Sequence, residues 1–359
     1  MSESRRTSHM RARRVTLTDV ADEAGVSPTT ASYILNGRSS QMRISQTTQQ
    51  RVRTVAQRLG YRPNRQARGL RTATTATYGV ISDFVATGRF ASQMLSGASA
   101  AARATQHLLV IGETEGDPEL EARLVEEMVD RQVDGFLYAT LVAQEVTVPP
   151  VLRSQRVVLV NCTDPASGLP SVLPDDRRAG ATAAELLRDA APGADVFVVG
   201  SEDEPGLAGR LRLEGLLEAL AATGRRLAGV VPCAWDVVAA HEAVAAWLGS
   251  GATPRAVVCM NDRVAMGTVQ AIAARGLRVP AEVSVVCFDG SDLAEWIRPP
   301  VTSIALPHAT MGETAVHLLS GARRPPADGR PTLVPMPVRA GRSLAEPSGA
   351  RGHKPSAMV

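Results

Sequence analysis

An all-α head joined to a two-lobed α/β body with parallel sheets is the fold class this sequence predicts. Three observations lead there. Residues 15–59 carry helical apolar spacing broken by Gly and Ser-Pro signals. From Tyr78 onward, short apolar runs alternate with amphipathic stretches, the rhythm of parallel strands covered by helices on both faces. Between the two lies Thr72-Ala73-Thr74-Thr75-Ala76-Thr77, a small, polar linker.

The head resolves into three helices. Val20, Ala21 and Ala24 share one face of the first, which Gly25 ends. Ser27-Pro28 starts the second: a serine N-cap, then proline where its missing N–H costs nothing. That helix is predicted over about 28–36, with Ala31, Ile34 and Leu35 inward, and Asn36-Gly37 closes it. The third begins at the N-cap Ser45 and carries Val52, Val55, Ala56 and Leu59 at helical spacing before Gly60. A short helical stretch over 65–70 follows Tyr61-Arg62-Pro63-Asn64. In the body, strands are predicted at about 78–82, 107–112, 134–139, 156–160, 195–199, 228–232, 255–259 and 283–288, with helices such as 119–131, 207–222, 237–248 and 263–275 between them. So long an alternation overfills one sheet, hence two lobes. Residues 1–14 are predicted as a disordered basic arm and 342–359, rich in Pro, Gly and Ser, as a disordered tail. The divisions are thus a head over 15–63, hinge and linker over 64–77, and a body over 78–341.

Of the 359 residues, 44% are hydrophobic and 21% charged, ordinary for a soluble globular chain. The net charge of +3 hides an asymmetry. Residues 1–75 hold 14 Arg and no Lys against 4 acidic residues, a net of +10, whereas the remainder carries −7. A basic head on an acidic body is expected when one end meets a polyanion. No apolar run is long enough for a membrane span. No apolar stretch follows the basic N-terminus, so a secretory signal is not expected and a cytoplasmic location is. Cys162, Cys233, Cys259 and Cys287 sit apart in or beside apolar runs, as buried thiols rather than a disulfide frame or zinc site. The six histidines show no metal-like pairing, and neither metal nor cofactor is expected. The single Lys among 39 basic residues reflects coding bias rather than arginine selected for function.

Helix, Gly-containing turn and second helix with a polar outward face make a helix-turn-helix. Thr29 and Tyr33, four apart, share a face opposite the apolar one. That face suits a major groove of double-stranded DNA, with Pro28, Thr29 and Tyr33 nearest the bases and Ser27, Thr30 and Ser32 toward phosphates. The alternative is a three-helix bundle with a solvated polar face; the +10 head favours DNA.

The run Val15-Thr16-Leu17-Thr18-Asp19-Val20-Ala21, then Ala24-Gly25-Val26-Ser27 and Asn36, then Leu59-Gly60-Tyr61-Arg62-Pro63-Asn64, Ala67 and Leu70, resembles the lactose-repressor (LacI/GalR) family of bacterial transcription factors. The resemblance adds Thr16, Leu17, Asn36, Ser45, Asn64, Ala67 and Leu70 to the DNA-binding set. It implies that 64–70 is a hinge helix that folds on an operator, paired with its dimer mate, with Leu70 wedged into the minor groove; packing of Leu70 on the body is the alternative. Two departures stand out. Tyr33 replaces the usual Arg and offers one hydroxyl and a ring instead of a bidentate contact to guanine. The stretch Gly37–Arg43 is about three residues longer than usual and adds Arg38 and Arg43, either phosphate contacts or a solvated loop.

The body also resembles the family's effector domain, a fold shared with periplasmic sugar-binding proteins (the type I two-lobed architecture). Val133-Asp134-Gly135, Arg212 with Glu214-Gly215, Asn261-Asp262-Arg263-Val264-Ala265, Val279-Pro280, Val283 to Asp289 and Arg298-Pro299-Pro300-Val301-Thr302 carry it. The resemblance places Arg212, Trp235, Asn261 and Asp289 in a ligand cleft at the carboxyl ends of the strands, with Asp83 and Phe90 reaching in from the other lobe. Helix caps or turns at Asp262 and Asp289, and a surface ion pair at Arg212, are the alternatives. Asp, Asn and Arg around an aromatic face suit a sugar-like, polyhydroxylated effector. The near side departs from the family's Asn-Pro-Phe-Phe, reading Thr87-Gly88-Arg89-Phe90-Ala91.

The function expected is a ligand-responsive DNA-binding regulator, most often a repressor, acting as a homodimer on a pseudo-palindromic operator. An enzyme on a doubly wound fold would show a Gly-rich nucleotide loop or a nucleophile elbow; the sequence has neither, and no enzymatic activity is expected. A transport binding protein fits neither the basic head nor the expected lack of a signal. Replacing Tyr33→Arg is expected to change the base preferred at one operator position in a binding-selection assay; an unchanged motif refutes that assignment.

Overall fold

The structure, a computed structural model, describes residues 15–37, 39–61, 74–86, 92–200 and 206–346. The expected basic arm, Arg38, the hinge with Asn64, Ala67 and Leu70, Phe90, and residues 347–359 lie outside the described residues. The chain divides into two compact units, Met1–Thr75 and Ala76–Val359.

In the first unit, α1 (Leu17–Ala24) starts at Thr16 in a capping box with Asp19 and ends at Gly25, whose φ of 62° is left-handed. Next, α2 (Pro28–Leu35) begins at the N-cap Ser27, whose hydroxyl accepts from Thr30 N at 3.1 Å. A 3₁₀ turn, Ser39–Met42, fills the lengthened stretch, and the Ser39 hydroxyl donates to Gln49 at 2.9 Å. The third helix, α3 (Gln46–Arg58), is capped by Ser45. Val20, Ala21, Ala24, Ala31, Ile34, Val52, Val55 and Ala56 form one buried cluster, with Leu35 and Leu59 at its margin.

The second unit holds two six-stranded sheets. Its elements run β1 (Thr77–Ser82), α4 (Ser92–Ala104), β2 (Leu108–Glu113), α5 (Pro118–Asp130), β3 (Phe136–Glu145), β4 (Val157–Thr163), β5 (Ser171–Pro174), α6 (Asp176–Ala190), β6 (Val196–Val199) and α7 (Gly206–Ala222). They continue β7 (Leu227–Val231), α8 (Val237–Gly249), β8 (Ala256–Cys259), α9 (Asp262–Ala274), β9 (Ser284–Asp289), α10 (Asp292–Trp296), β10 (Thr302–Ala305), α11 (His308–Ser320), β11 (Thr332–Val334) and β12 (Val338–Arg339). The first sheet is ordered β11-β5-β4-β3-β1-β2 and the second β12-β10-β9-β8-β6-β7. All pairings are parallel except β10 with β12. Among the described residues the chain therefore passes between lobes three times: from β5 into α6, from β10 into α11, and from β11 to β12.

Helices meet at glycines. A Cβ on Gly180 of α6 would lie 1.9 Å from Arg212 O of α7, and one on Gly215 would lie 1.8 Å from Arg177 O. The same holds for Gly97 of α4 against Ala309 O, and for Gly312 of α11 against Met94 O at 2.0 Å. The expected disordered tail needs correction at its start. Ser343 is fully buried; its hydroxyl donates to Val285 O at 2.6 Å and accepts from Thr302 N at 2.8 Å. Backbone polar groups at two strand edges need partners, and this serine supplies one in a segment whose composition suggests flexibility.

Gly312→Ala forces α4 and α11 apart. It is expected to cost about 2 kcal/mol or more, a loss of several degrees in Tm. A Tm equal to the parent chain's would contradict backbone contact at that crossing.

Candidate functional site

The head presents the N-terminal end of α2. Ser27, Pro28 and Thr29 are exposed there, while Thr30, Ser32, Tyr33 and Asn36 are half-buried beside the buried Ala31 and Ile34. Thr16 and Ser45, both exposed, head α1 and α3, and Leu17 packs against the three-helix core. Several hydroxyls expected on phosphates already have internal partners. Ser27 Oγ and Thr30 Oγ1 share a hydrogen bond of 2.8 Å. Asn36 Nδ2 donates to Ser32 O at 2.8 Å and Ser32 Oγ at 3.2 Å. Each hydroxyl keeps further capacity, since it has one proton and two lone pairs. These bonds hold the face rigid, and the first-turn N–H groups and the helix dipole favour an anion there.

In the body, a cavity of ≈ 330 Å³ opens between the lobes. Arg212, on α7, is its anchor and is 2% exposed. Its Nε donates to Asp176 Oδ1 at 2.8 Å, and its Nη1 donates to Met260 O at 2.8 Å and Asp289 Oδ1 at 3.3 Å. The guanidinium carbon lies 4.7 Å from the Phe288 ring centroid and 5.8 Å from that of Trp235. Nη2 makes no hydrogen bond among the described residues.

Arg212, Trp235, Asn261 and Asp289 all line this cavity. The surface ion pair considered for Arg212 is instead a buried one. Asn261 caps α9, accepting from Val264 N at 2.8 Å, which leaves its Nδ2 unengaged among the described residues. Asp262 is structural: it accepts from Cys287 Sγ, Ser303 Oγ, Ser291 N and Ser291 Oγ, all within 3.0 Å. Asp83 is not in the cleft. It lines a separate hollow with Glu121 and Tyr138, and its carboxylate accepts from Leu141 N at 2.8 Å and Phe84 N at 2.6 Å. The backbone amides of Leu141, within β3, and Phe84, just past β1, engage it locally.

Sequence reasoning missed Asp176, His308 and Arg339, which sit at the three passages between lobes, and Asn161 in β4. Proline is the only local signal: Pro174 precedes Asp175-Asp176, and Pro307 precedes His308, each between an apolar run and a helix.

Burial lifts Asp176 above the ordinary carboxylate value, with Arg212 opposing. It pushes Asp289 up to about 6, again against Arg212. Burial alone pushes His308 down to about 4, leaving a neutral imidazole. Burial also raises all four thiols, which are unpaired. Among the described residues, no helix is long and apolar enough to cross a membrane.

Comparison with known proteins matches residues 16–64 to the model for bacterial regulatory proteins of the lacI family, and 194–344 to a periplasmic binding protein-like domain. Catabolite control protein A of Priestia megaterium is 30% identical over 309 residues, covering 85% of this chain and 92% of that protein. Its counterpart in Streptococcus mutans is 29% identical, over 85% and 90%. Among solved structures, the lac repressor dimer bound to operator and the anti-inducer ONPF superposes with a TM-score of 0.76 at 23% identity, over 93% of this chain and 100% of that one. A complex of the regulator CelR with cellobiose gives 0.61 at 24%, over 92% and 100%.

The raised value at Asp289 has a signed consequence. A carboxyl whose folded-state pKa lies above its unfolded one contributes full stability below about pH 4, and loses it as pH rises through about 6. Asp289→Asn is therefore expected to gain on the parent chain between pH 4 and 6 in urea titrations, and to hold a constant offset above. An offset that does not vary with pH would count against a raised Asp289 carboxyl.

Proposed function

The chain belongs to the lacI family of bacterial regulatory proteins, and from that premise we propose that it is a cytoplasmic, ligand-controlled repressor that binds a pseudo-palindromic operator as a homodimer. One observation carries the reading. The +10 segment presents the exposed start of a capped second helix, while the −7 remainder of the same chain contains a cleft with converging, partly unengaged polar groups. The head is the part suited to a polyanion, and the body the part suited to a small molecule.

Pro28, Thr29 and Tyr33 face the bases, and Ser27, Thr30, Ser32, Thr16 and Ser45 position the head on phosphates. Asn64, Ala67 and Leu70 follow the family's minor-groove hinge. The ligand is a sugar or related polyhydroxylated metabolite. Arg212 and Asn261 offer it N–H donors, Asp289 an acceptor, and Trp235 a flat apolar face. The lac repressor and CelR complexes, with operator and with cellobiose, support the same division of labour here. Ligand control requires different affinities for two arrangements of the lobes, typically 1–3 kcal/mol of coupling. We read the cleft as non-enzymatic, because its carboxylates, the buried Asp176 and the half-buried Asp289, are engaged in holding Arg212.

Fluorescence anisotropy on a DNA duplex recovered by binding selection tests the reading. Raising salt from about 50 to 200 mM is expected to weaken binding at least about a hundredfold. Salt-insensitive binding, or a monomer by light scattering on that DNA, overturns it.

A further inference from the structure

Arg339 ends β12, the short strand that follows the third passage between lobes, and its side chain lines the cleft. β12 runs antiparallel to β10, with Arg339 directly opposite Ser303. These two side chains hold one residue between them. Ser303 Oγ accepts from Gly290 N at 2.9 Å, and Arg339 Nη1 donates to Gly290 O. Only glycine suits that place: its φ is 62°, and a Cβ there would lie 2.3 Å from the Ala305 side chain of β10. One corner of the Arg339 guanidinium is thereby tethered to the cleft wall. The other N–H donors of its planar fork have no partner among the described residues. Arg339 is exposed, so a molecule entering the cleft can reach them.

The charges on the lining show what this fork lacks. Asp176 and Asp289 are taken up by Arg212. Asp262 is taken up by Cys287 Sγ, Ser303 Oγ, Ser291 N and Ser291 Oγ. Arg263 and Arg339 line the same cavity, and neither has an ion-pair partner among the described residues. Against these two cations stands one exposed carboxylate, Asp292 at the start of α10. The two arginines differ. Backbone amides at the start of α8 hold Asp236 below the ordinary carboxylate value, and the charge of Arg263 adds to that effect. Arg263 is thus partly answered, and no hydrogen bond orients it among the described residues. Arg339 is both unpaired and oriented. A guanidinium fork is the complement of a carboxylate or phosphate, which it meets with parallel N–H···O bonds. A lone hydroxyl would take one N–H and leave the charge unanswered.

We propose that Arg339 is the anion contact of this cleft: its fork binds a phosphate or carboxylate substituent of the ligand, whose hydroxylated part faces Arg212, Asn261 and Trp235. The ligand is then a sugar phosphate or sugar acid rather than a neutral sugar. This rests on the cleft reading above, and it adds to that reading a residue and a charge.

Isothermal titration of the full chain tests it with glucose and galactose, with their 6-phosphates, and with glucuronate and galacturonate. The tightest binder is expected to be an anion, held at least about tenfold more tightly than its parent sugar. Whether that anion is a phosphate or a carboxylate identifies the group the fork takes. Arg339→Gln is expected to weaken it about 10- to 100-fold and to change the parent sugar by less than about twofold. A general loosening of the fold would weaken both alike. Arg339→Lys, which keeps the charge without the fork, is expected to fall between the parent chain and Arg339→Gln. An anion preference that survives Arg339→Gln, or that Arg263→Gln removes in its place, overturns the Arg339 assignment. A neutral sugar binding tightest overturns the ligand class and leaves the cleft reading standing. No binding by any member overturns this ligand class and the sugar-like ligand of the cleft reading together. Binding of every member by Trp235→Ala as tightly as by the parent chain overturns the cleft reading itself.

Discussion

A guanidinium withdrawn from water must be answered by protein groups, and the second lobe is arranged around that requirement at Arg212. Its partners come from three elements: Asp176 at the start of α6, Met260 O just past β8, and Asp289 at the end of β9. Only a close crossing of α6 and α7 brings the first within reach. Gly180 and Gly215 provide it, each with its Cα against a carbonyl of the opposite helix, and Arg212 O is one of those carbonyls. The residue that packs the crossing through its backbone thus also organises the cleft through its side chain. Such a buried pair is a weak source of net stability, because desolvation offsets the attraction. Its effect is directional: with Nε and Nη1 held, the whole guanidinium, Nη2 included, keeps one orientation in the cleft.

Features encoded locally were legible in the sequence. The caps Ser27 and Ser45 are written in a side-chain oxygen preceding a helix, and each appears where that chemistry puts it. Strands β1–β4 and β6–β9 announce themselves as apolar runs. By contrast, β5, β10, β11 and β12 span two to four residues and are set by tertiary pairing. Asn261 and Asp289 were named through the resemblance, and each lies just past a predicted strand. Asp176, His308 and Arg339 were not legible, because a passage between lobes is a fact of topology rather than of residue pattern. Asp83 shows the same limit from the other side. The rule that ligands gather at strand ends locates the correct end of the sheet, but two backbone amides engage this carboxylate in a different hollow.

The two lobes face the cleft with comparable local strain. Asn161 in β4 has φ 61° and Asp289 in β9 has φ 93°, and each strand stands third in its sheet order. Backbone of this kind costs about 1–3 kcal/mol per residue and persists only where surroundings hold it. Here side-chain bonds do so: Asn161 to Thr140 O and Leu141 O, Asp289 to Arg212. Both residues therefore stand in fixed positions on opposite walls, joined through passages that pass Asp176, His308 and Arg339. A ligand touching one wall has the same contacts whatever the spacing of the lobes, and binding it shifts no equilibrium between arrangements. A ligand touching Arg212 and Asn261 on one side and the passage residues or the first lobe on the other has contacts that depend on that spacing. Its affinity then differs between open and closed arrangements, which is the physical requirement for control at a distance. The placement of polar groups at the passages, rather than their number, gives this cleft the means to be a sensor and not only a container.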